Sequence, residues 1–334
     1  MSTRGDARER AEREAEEALE TINKRTGRNM PQAIATGALL VAIIVLALVL
    51  STDAFVVLIV VFMVLALWEL RIDFATAGLR IPVVALWLCS AVMILSTYYS
   101  PDHLAALGAT TSGSLVFVVI AASTRLNAGS RVSLVVARKL SHSAPVNAVD
   151  RHDIPRDGGT VRVGSDRLSN VAVSVLALLY VPFMASFIIL SLTLGHPVAH
   201  AFLLVFLPAL GDTGGLAFGA SFGKHKLSPR ISPKKSWEGL LGSAVFAAVG
   251  AVLIFLCSYD MATFRRTWWI AILLGMLVAV TGTFGDLCAS MLKRDLGIKD
   301  MGHLLKGHGG VMDRVDSIVI SAPFITAVLM AAGL

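Results

Sequence analysis

Residues 170–194 read NVAVSVLALLYVPFMASFIILSLTL, without one Asp, Glu, Lys, Arg or His among them. About 20 apolar residues carry a helix across the hydrocarbon core of a bilayer, and about 17–25 is the usual range. On either side the pattern recurs. Apolar stretches lie at about 32–50, 54–70, 81–98, 104–123, 170–194, 197–210, 237–257, 268–288 and 315–333. The chain of 334 residues is 55% hydrophobic and 16% charged, whereas soluble domains are roughly 25% charged. It has too little polar surface to cover a soluble core of this size. The fold class expected is an all-α polytopic membrane protein with about nine transmembrane helices and a cytoplasm-facing polar cavity. Disorder, collagen and a disulfide scaffold are excluded by the same numbers. The three cysteines, Cys89, Cys257 and Cys288, lie in or beside apolar runs and cannot build a disulfide framework.

The stretch 197–210 is short and holds His200 and Pro208, so a broken or re-entrant segment is expected there. The Gly-rich 212–222 that follows reads as cavity-lining backbone rather than a span of its own. Residues 1–30 are polar and carry charges of both signs without an apolar centre, unlike a cleavable leader, and read as a cytoplasmic tail. Residues 31–334 form the membrane-embedded domain, interrupted at 125–169 by a polar loop.

Basic residues set the orientation, because cytoplasmic loops carry the excess of Lys and Arg. With the tail inside, the loops at 51–53, 99–103 and 195–197 fall outside and hold no Lys or Arg. Only Arg265 and Arg266 break the rule. The net charge of +6, from 29 basic and 23 acidic residues, is therefore topological. It points away from nucleic acid and suits anionic lipid or nucleotide phosphate.

Two polar segments are too dense in special residues to be plain connections. The first holds Gly211-Asp212-Thr213-Gly214-Gly215, then Phe222-Gly223-Lys224-His225-Lys226, then Ser232-Pro233-Lys234-Lys235-Ser236-Trp237-Glu238-Gly239. Asp212 ends an apolar run, and ionisable groups at membrane depth are costly and by default functional. Ser232 as N-cap and Pro233 at the first helical position predict a helix with Lys234 and Lys235 in its first turn, a ready phosphate site. A capped helix with topological lysines is the blander reading. In the second segment Asp286, Ser290 and Lys293 are spaced to share one helix face, with Arg294 flanking it. Lys299, Asp300, His308-Gly309-Gly310 and Asp313-Arg314-Val315-Asp316 follow. At a helix start, Asp313 and Asp316 would point the same way. Carboxylates with lysines and a glycine turn suit a cation–phosphate site, since hard oxygens hold the cation and ammonium groups neutralise phosphate. A structural ion-pair network is the alternative.

The run from Ser290 through Lys293-Arg294, Lys299-Asp300, Gly302, His308-Gly309-Gly310, Asp313-Arg314 and Asp316 resembles the signature of the phosphatidate cytidylyltransferase (CDP-diacylglycerol synthase) family. The stretch with Asp212-Thr213, Phe222-Gly223-Lys224 and Ser232 to Gly239 is similar to that family's upstream motif. The resemblance covers about 211–316, and one departure stands out: Lys306 occupies a place where the family usually has Pro or Gly.

The resemblance implies a cytidylyltransferase domain that takes CTP and phosphatidate, in the presence of Mg²⁺, to CDP-diacylglycerol and pyrophosphate. It leaves room for a second, monovalent cation and for a homodimer. The implied catalytic residues are Asp212, Asp286, Asp313, Lys293 and Arg294. Of these, Asp286, Asp212 and Asp313 would serve the metal, with Asp286 first among direct ligands. Substrate phosphates would fall to Lys224, Lys234, Lys235, Ser290, Lys299, His308, Gly309, Gly310 and Arg314. His308 reads as a hydrogen-bonding turn residue, Trp237 as interfacial more than base-stacking, and Glu69 as an interfacial ion-pair residue. Two rivals share parts of this pattern. A CTP-dependent lipid kinase would transfer the γ-phosphoryl group instead. A cation transporter would use Asp212 and Asp286, but no inverted repeat is visible.

Overall fold

The computed structural model describes residues 30–124, 167–229, 231–298, 301–302 and 310–334, with the side chains of 30–35, 233 and 234 excluded. The N-terminal tail, almost all of the 125–169 loop, and Lys299, Asp300, Lys306, His308 and Gly309 lie outside the described residues.

Each apolar stretch becomes a helix. They are α1 (Met30–Leu50), α2 (Thr52–Thr76), α3 (Val83–Tyr99), α4 (His103–Ser123), α5 (Arg167–Leu192), α6 (Pro197–Phe222), α7 (Trp237–Ser258), α8 (Met261–Asp295) and α9 (Met312–Ala332). Seven of them are long and apolar enough to cross a membrane; α3 and the described part of α1 are shorter. A two-stranded antiparallel hairpin, β1 (Lys226–Ser228) and β2 (Ser232–Ser236), joins α6 to α7. Helix starts follow local chemistry. Ser51, Asp102 and Asp260 each accept a hydrogen bond from a first-turn N–H of α2, α4 and α8, satisfying donors that the helix itself cannot. Pro182 sits in a π-helical turn, Leu179–Phe183, within α5. The wider turn accommodates a residue that lacks an N–H and crowds the preceding carbonyl.

The expectation of a broken sixth span is corrected: α6 runs unbroken through Pro208 and the glycines. His200 does not disrupt it, because the ring is fully buried with Nδ1 2.8 Å from the Ser191 carbonyl and Nε2 3.0 Å from the Tyr259 hydroxyl. Nor are the glycines mainly a ligand surface. A Cβ on Gly214 would meet the Gly242 carbonyl and Phe246 at 2.5–2.7 Å, and one on Gly242 would meet Phe218 and the Gly214 carbonyl. Ser243 Oγ donates to the Gly211 carbonyl at 2.5 Å. Small residues thus let α6 and α7 pack backbone to backbone, as helices do where lipid offers no hydrophobic drive.

The core is lined by Phe55, Phe74, Met63, Leu86, Ile188 and Phe255, all essentially inaccessible. Val57, Leu88, Val116 and Leu253 face outward, an apolar exterior that lipid suits better than water. A cavity of about 670 Å³ lies between the α5–α6 turn, the start of α8 and the end of α9. It is at the opposite end of the bundle from the polar residues described next.

Candidate active site

The first polar segment is built differently from its sequence reading. Ser232 is not an N-cap, since residues 232–236 form β2. The helix begins at Trp237, and Ser236 caps it by accepting from the Gly239 N–H at 3.1 Å. Lys235 therefore projects from a strand, and its Nζ lies 2.6 Å from Asp286 Oδ2. The hairpin is clamped to α7 from its other end. His225 Nδ1 is 2.7 Å from Glu238 Oε1, and the Trp237 N–H donates to the His225 carbonyl. Lys224 and Trp237 are exposed.

Beyond the hairpin, α8 brings the second segment in. Asp286, Ser290 and Lys293 lie on one continuous helix, as their spacing predicts, and Arg294 is exposed beside them. Asp286 meets α9 because Gly282 and Gly285 permit close approach. A Cβ on Gly285 would lie 2.9 Å from the Asp316 carbonyl and 3.2 Å from Ile320 Cβ. Ser317 Oγ donates to the Gly282 carbonyl at 3.3 Å, and Thr281 and Ser321 hydroxyls pair at 2.9 Å.

Asp313 and Asp316, although one turn apart, do different things. The charge of Asp316 acts on Asp286, Asp212 and Lys293. Asp212, on α6, has Lys235, Asp286, Arg314 and Ser317 as its electrostatic neighbours. Three carboxylates from three helices thus share one patch with Lys235 and Arg314. Asp316 belongs to this group in a way its sequence position alone did not single out. Asp313 is engaged elsewhere. Its Oδ1 is 2.8 Å from Lys293 Nζ, and its Oδ2 accepts from the N–H groups of Met301 (3.0 Å) and Gly310 (3.3 Å). A side chain with three donors already around it holds backbone in place.

Glu69 is buried within the bundle, 1% exposed. Its Oε2 accepts from the Met312 N–H at 3.1 Å, the first residue of α9. Asp73, one turn further along α2, is 4% exposed and bonds the Gly302 backbone, while its Oδ2 has no partner. The Tyr180 hydroxyl, in the π-helical turn, is likewise buried without a partner and lies in electrostatic range of Asp316. Carboxylates within an apolar helix are the one sequence signal that marks Glu69 and Asp73; their partners are more than 200 residues away.

Among the described residues, no three His, Cys, Asp or Glu side chains form a closed cation cage. Mg²⁺ takes carboxylate oxygens and is commonly held by one or two of them plus substrate phosphates, so one or two of Asp212, Asp286 and Asp316 suit it where the three together do not. The Lys235 ammonium stands in at Asp286 as the positive charge that such an ion would supply.

Residues 31–332 match the model of the Cytidylyltransferase family. A phosphatidate cytidylyltransferase of Mycobacterium leprae is 34% identical over 302 residues, covering 89% of this chain and 86% of that protein. One from Mycobacterium bovis is 33% identical over 320 residues, covering 95% and 94%. A Haemophilus influenzae phosphatidate cytidylyltransferase is 38% identical over 153 residues, 44% of this chain and 52% of its own. A match spanning nearly every helix, with the carboxylates and lysines of its two motif segments meeting at one end of the bundle, leaves one assignment: this chain belongs to the cytidylyltransferase family.

Proposed function

We propose that the protein transfers the cytidylyl group of CTP to phosphatidate, giving CDP-diacylglycerol and pyrophosphate, on the cytoplasmic face of the cell membrane. The observation that carries this reading is the meeting of Asp212, Asp286 and Asp316 with Lys235, Lys293 and Arg314 where α6, α8 and α9 come together. The site fits a reaction between two anions. A phosphate oxygen of the lipid forms a bond to the α-phosphorus of CTP. The bond from that phosphorus to the bridging oxygen breaks, and pyrophosphate leaves with the electron pair. The lipid phosphate is already anionic near neutral pH, so no strong base is required. Alignment and charge neutralisation supply most of the rate in such transfers.

One or two of Asp212, Asp286 and Asp316, with the substrate phosphates, would hold Mg²⁺, which would neutralise the triphosphate and stabilise charge on the leaving group. Lys235, 2.6 Å from Asp286, would be placed to contact phosphate. Arg314 reaches the same patch, while Lys293 stays with Asp313, which holds the N–H groups of Met301 and Gly310. Lys299, His308 and Gly309 are assigned to the nucleotide by family likeness alone. The nine-span reading, with α1 starting inside and α9 ending outside, puts α6, α8 and α9 in the right direction for a cytoplasmic site, where CTP is available.

The test is pyrophosphate release by purified protein. It should require CTP, phosphatidate and Mg²⁺ together and stop when a chelator removes the metal. Release that continues without phosphatidate, or that leaves no cytidine in the lipid, would count against the reading.

A further inference from the structure

Helix α9 carries Arg314 and Asp316, so its start must be fixed if these groups are to serve the site. Its own N-cap position offers nothing: Val311 makes no side-chain capping bond. The first N–H of the helix is instead taken by Glu69 from α2, at 3.1 Å. That carboxylate lies against two glycines as well. A Cβ on Gly302 would run into the Glu69 carboxyl group, and one on Gly310 would come within 2.7 Å of its Oε2. Gly302 has φ +73°, a left-handed conformation that costs a side chain but not glycine. Asp73, one turn along α2, holds the Gly302 backbone. From the other side Asp313 bonds the Met301 and Gly310 N–H groups, and Lys293 neutralises it.

The backbone on both sides of residues 303–309 is therefore gripped between two elements, α2 and the α8–α9 pair. We infer that Glu69, assisted by Asp73, is a positioning residue of the transfer site: it caps α9 from a distant helix and fixes where Arg314 and Asp316 stand relative to Asp286. The inference rests on the cytidylyl-transfer reading above, and it gives two buried carboxylates that this reading leaves idle a role through other residues. Burying a carboxylate is costly unless it is hydrogen-bonded, and anionic groups are favoured at a helix N-terminus. Both conditions are met at Glu69. Its reach matters as well as its charge, because Asp at this position would fall short of the Met312 N–H by one methylene.

The experiment compares Glu69→Gln, Glu69→Asp and Glu69→Ala, assayed with CTP and phosphatidate well below each variant's melting temperature and normalised to folded protein. Misplacing a reacting group by about 1 Å costs about 10²-fold. Glu69→Ala and Glu69→Asp should therefore lose about 10²-fold in kcat, with KM for phosphatidate changed less than about threefold. Glu69→Gln keeps the length and an acceptor oxygen, and should recover at least tenfold over Ala. Three outcomes would overturn the inference. In the first, kcat of Glu69→Ala per folded molecule is that of wild type, so the residue is structural only. In the second, Glu69→Asp is active while Glu69→Gln is dead, so charge and not reach is what matters. In the third, Glu69→Gln does not fold although its acceptor is retained. If Glu69→Ala does not fold, the Gln–Asp comparison decides. Wild-type protein that makes no cytidine-bearing lipid would sink the functional reading instead, and is seen before any variant is compared.

Discussion

Asp286 is the residue on which most converges: an ion pair with Lys235 and the like charges of Asp212 and Asp316. Asp286→Asn preserves shape and removes the charge. It should cost at least about 10²-fold in turnover, the scale of losing one electrostatic contact to a transition state, while the protein stays folded and inserted. Activity within a few fold of wild type at saturating Mg²⁺ would take Asp286 out of the site. The roles of individual side chains were only partly readable from the chain. Asp212 and Asp286 stood out as carboxylates at the ends of apolar runs, and the structure places them together. The family resemblance assigns Asp313 to the metal and gives Asp316 no role, yet Asp313 bonds backbone N–H groups and Asp316 joins the carboxylate patch. That division depends on where the Met301 and Gly310 N–H groups lie, which local spacing does not encode. Glu69 shows the same gap: beside Trp68 and Arg71 it has the look of a membrane-surface residue, and only the return of α9 reveals its bond to the Met312 N–H.

Helices rather than single side chains set the distance between Asp286 and Asp316. Gly285 allows α8 and α9 to touch. Gly285→Ala would press a methyl group onto the Asp316 carbonyl and the Ser317 backbone, contacts of 2.9 and 3.2 Å before relaxation. Overpacking of this kind costs about 1–3 kcal/mol. Activity should fall about 10–100-fold, because the two carboxylates part. Gly108, on α4, has nothing within 4 Å of a built Cβ. Gly108→Ala should leave activity unchanged and stability the same or raised by up to about 1 kcal/mol. Equal effects of the two substitutions on activity would show that close packing of α8 on α9 does not matter. Hydropathy located the helices well, since each apolar run became one. The element it misjudged was α6, where Pro208, His200 and a row of glycines read as interruptions. His200 is satisfied by Ser191 and Tyr259, the glycines pack on α7, and the helix continues through Pro208. The strand at Ser232–Ser236 was also missed, because Ser-Pro resembles a helix start and only the pairing with Lys226–Ser228 reveals an extended segment.

For the protein as a unit, composition and loop charge spoke early and clearly: 55% hydrophobic residues and Lys and Arg on alternate loops already imply a multi-pass membrane protein. Sidedness is open to direct test. In a protein freed of Cys89, Cys257 and Cys288, a cysteine at Gly195 should react with an impermeant maleimide added to intact cells. One at Pro229, between the strands of the hairpin, should react only after permeabilisation. Both positions are exposed, and the reverse pattern would invert the topology. What neither charge nor hydropathy could disclose is which phosphorus of CTP is attacked, since a lipid kinase would need the same cation, carboxylates and lysines. That distinction is measured by incubating purified protein with phosphatidate, Mg²⁺ and CTP carrying ³²P at either the α or the γ position, then extracting the lipid. Label should enter the lipid from the α position alone, with the γ label recovered as pyrophosphate. Lipid labelled from the γ position and not from the α would contradict cytidylyl transfer and make the protein a kinase.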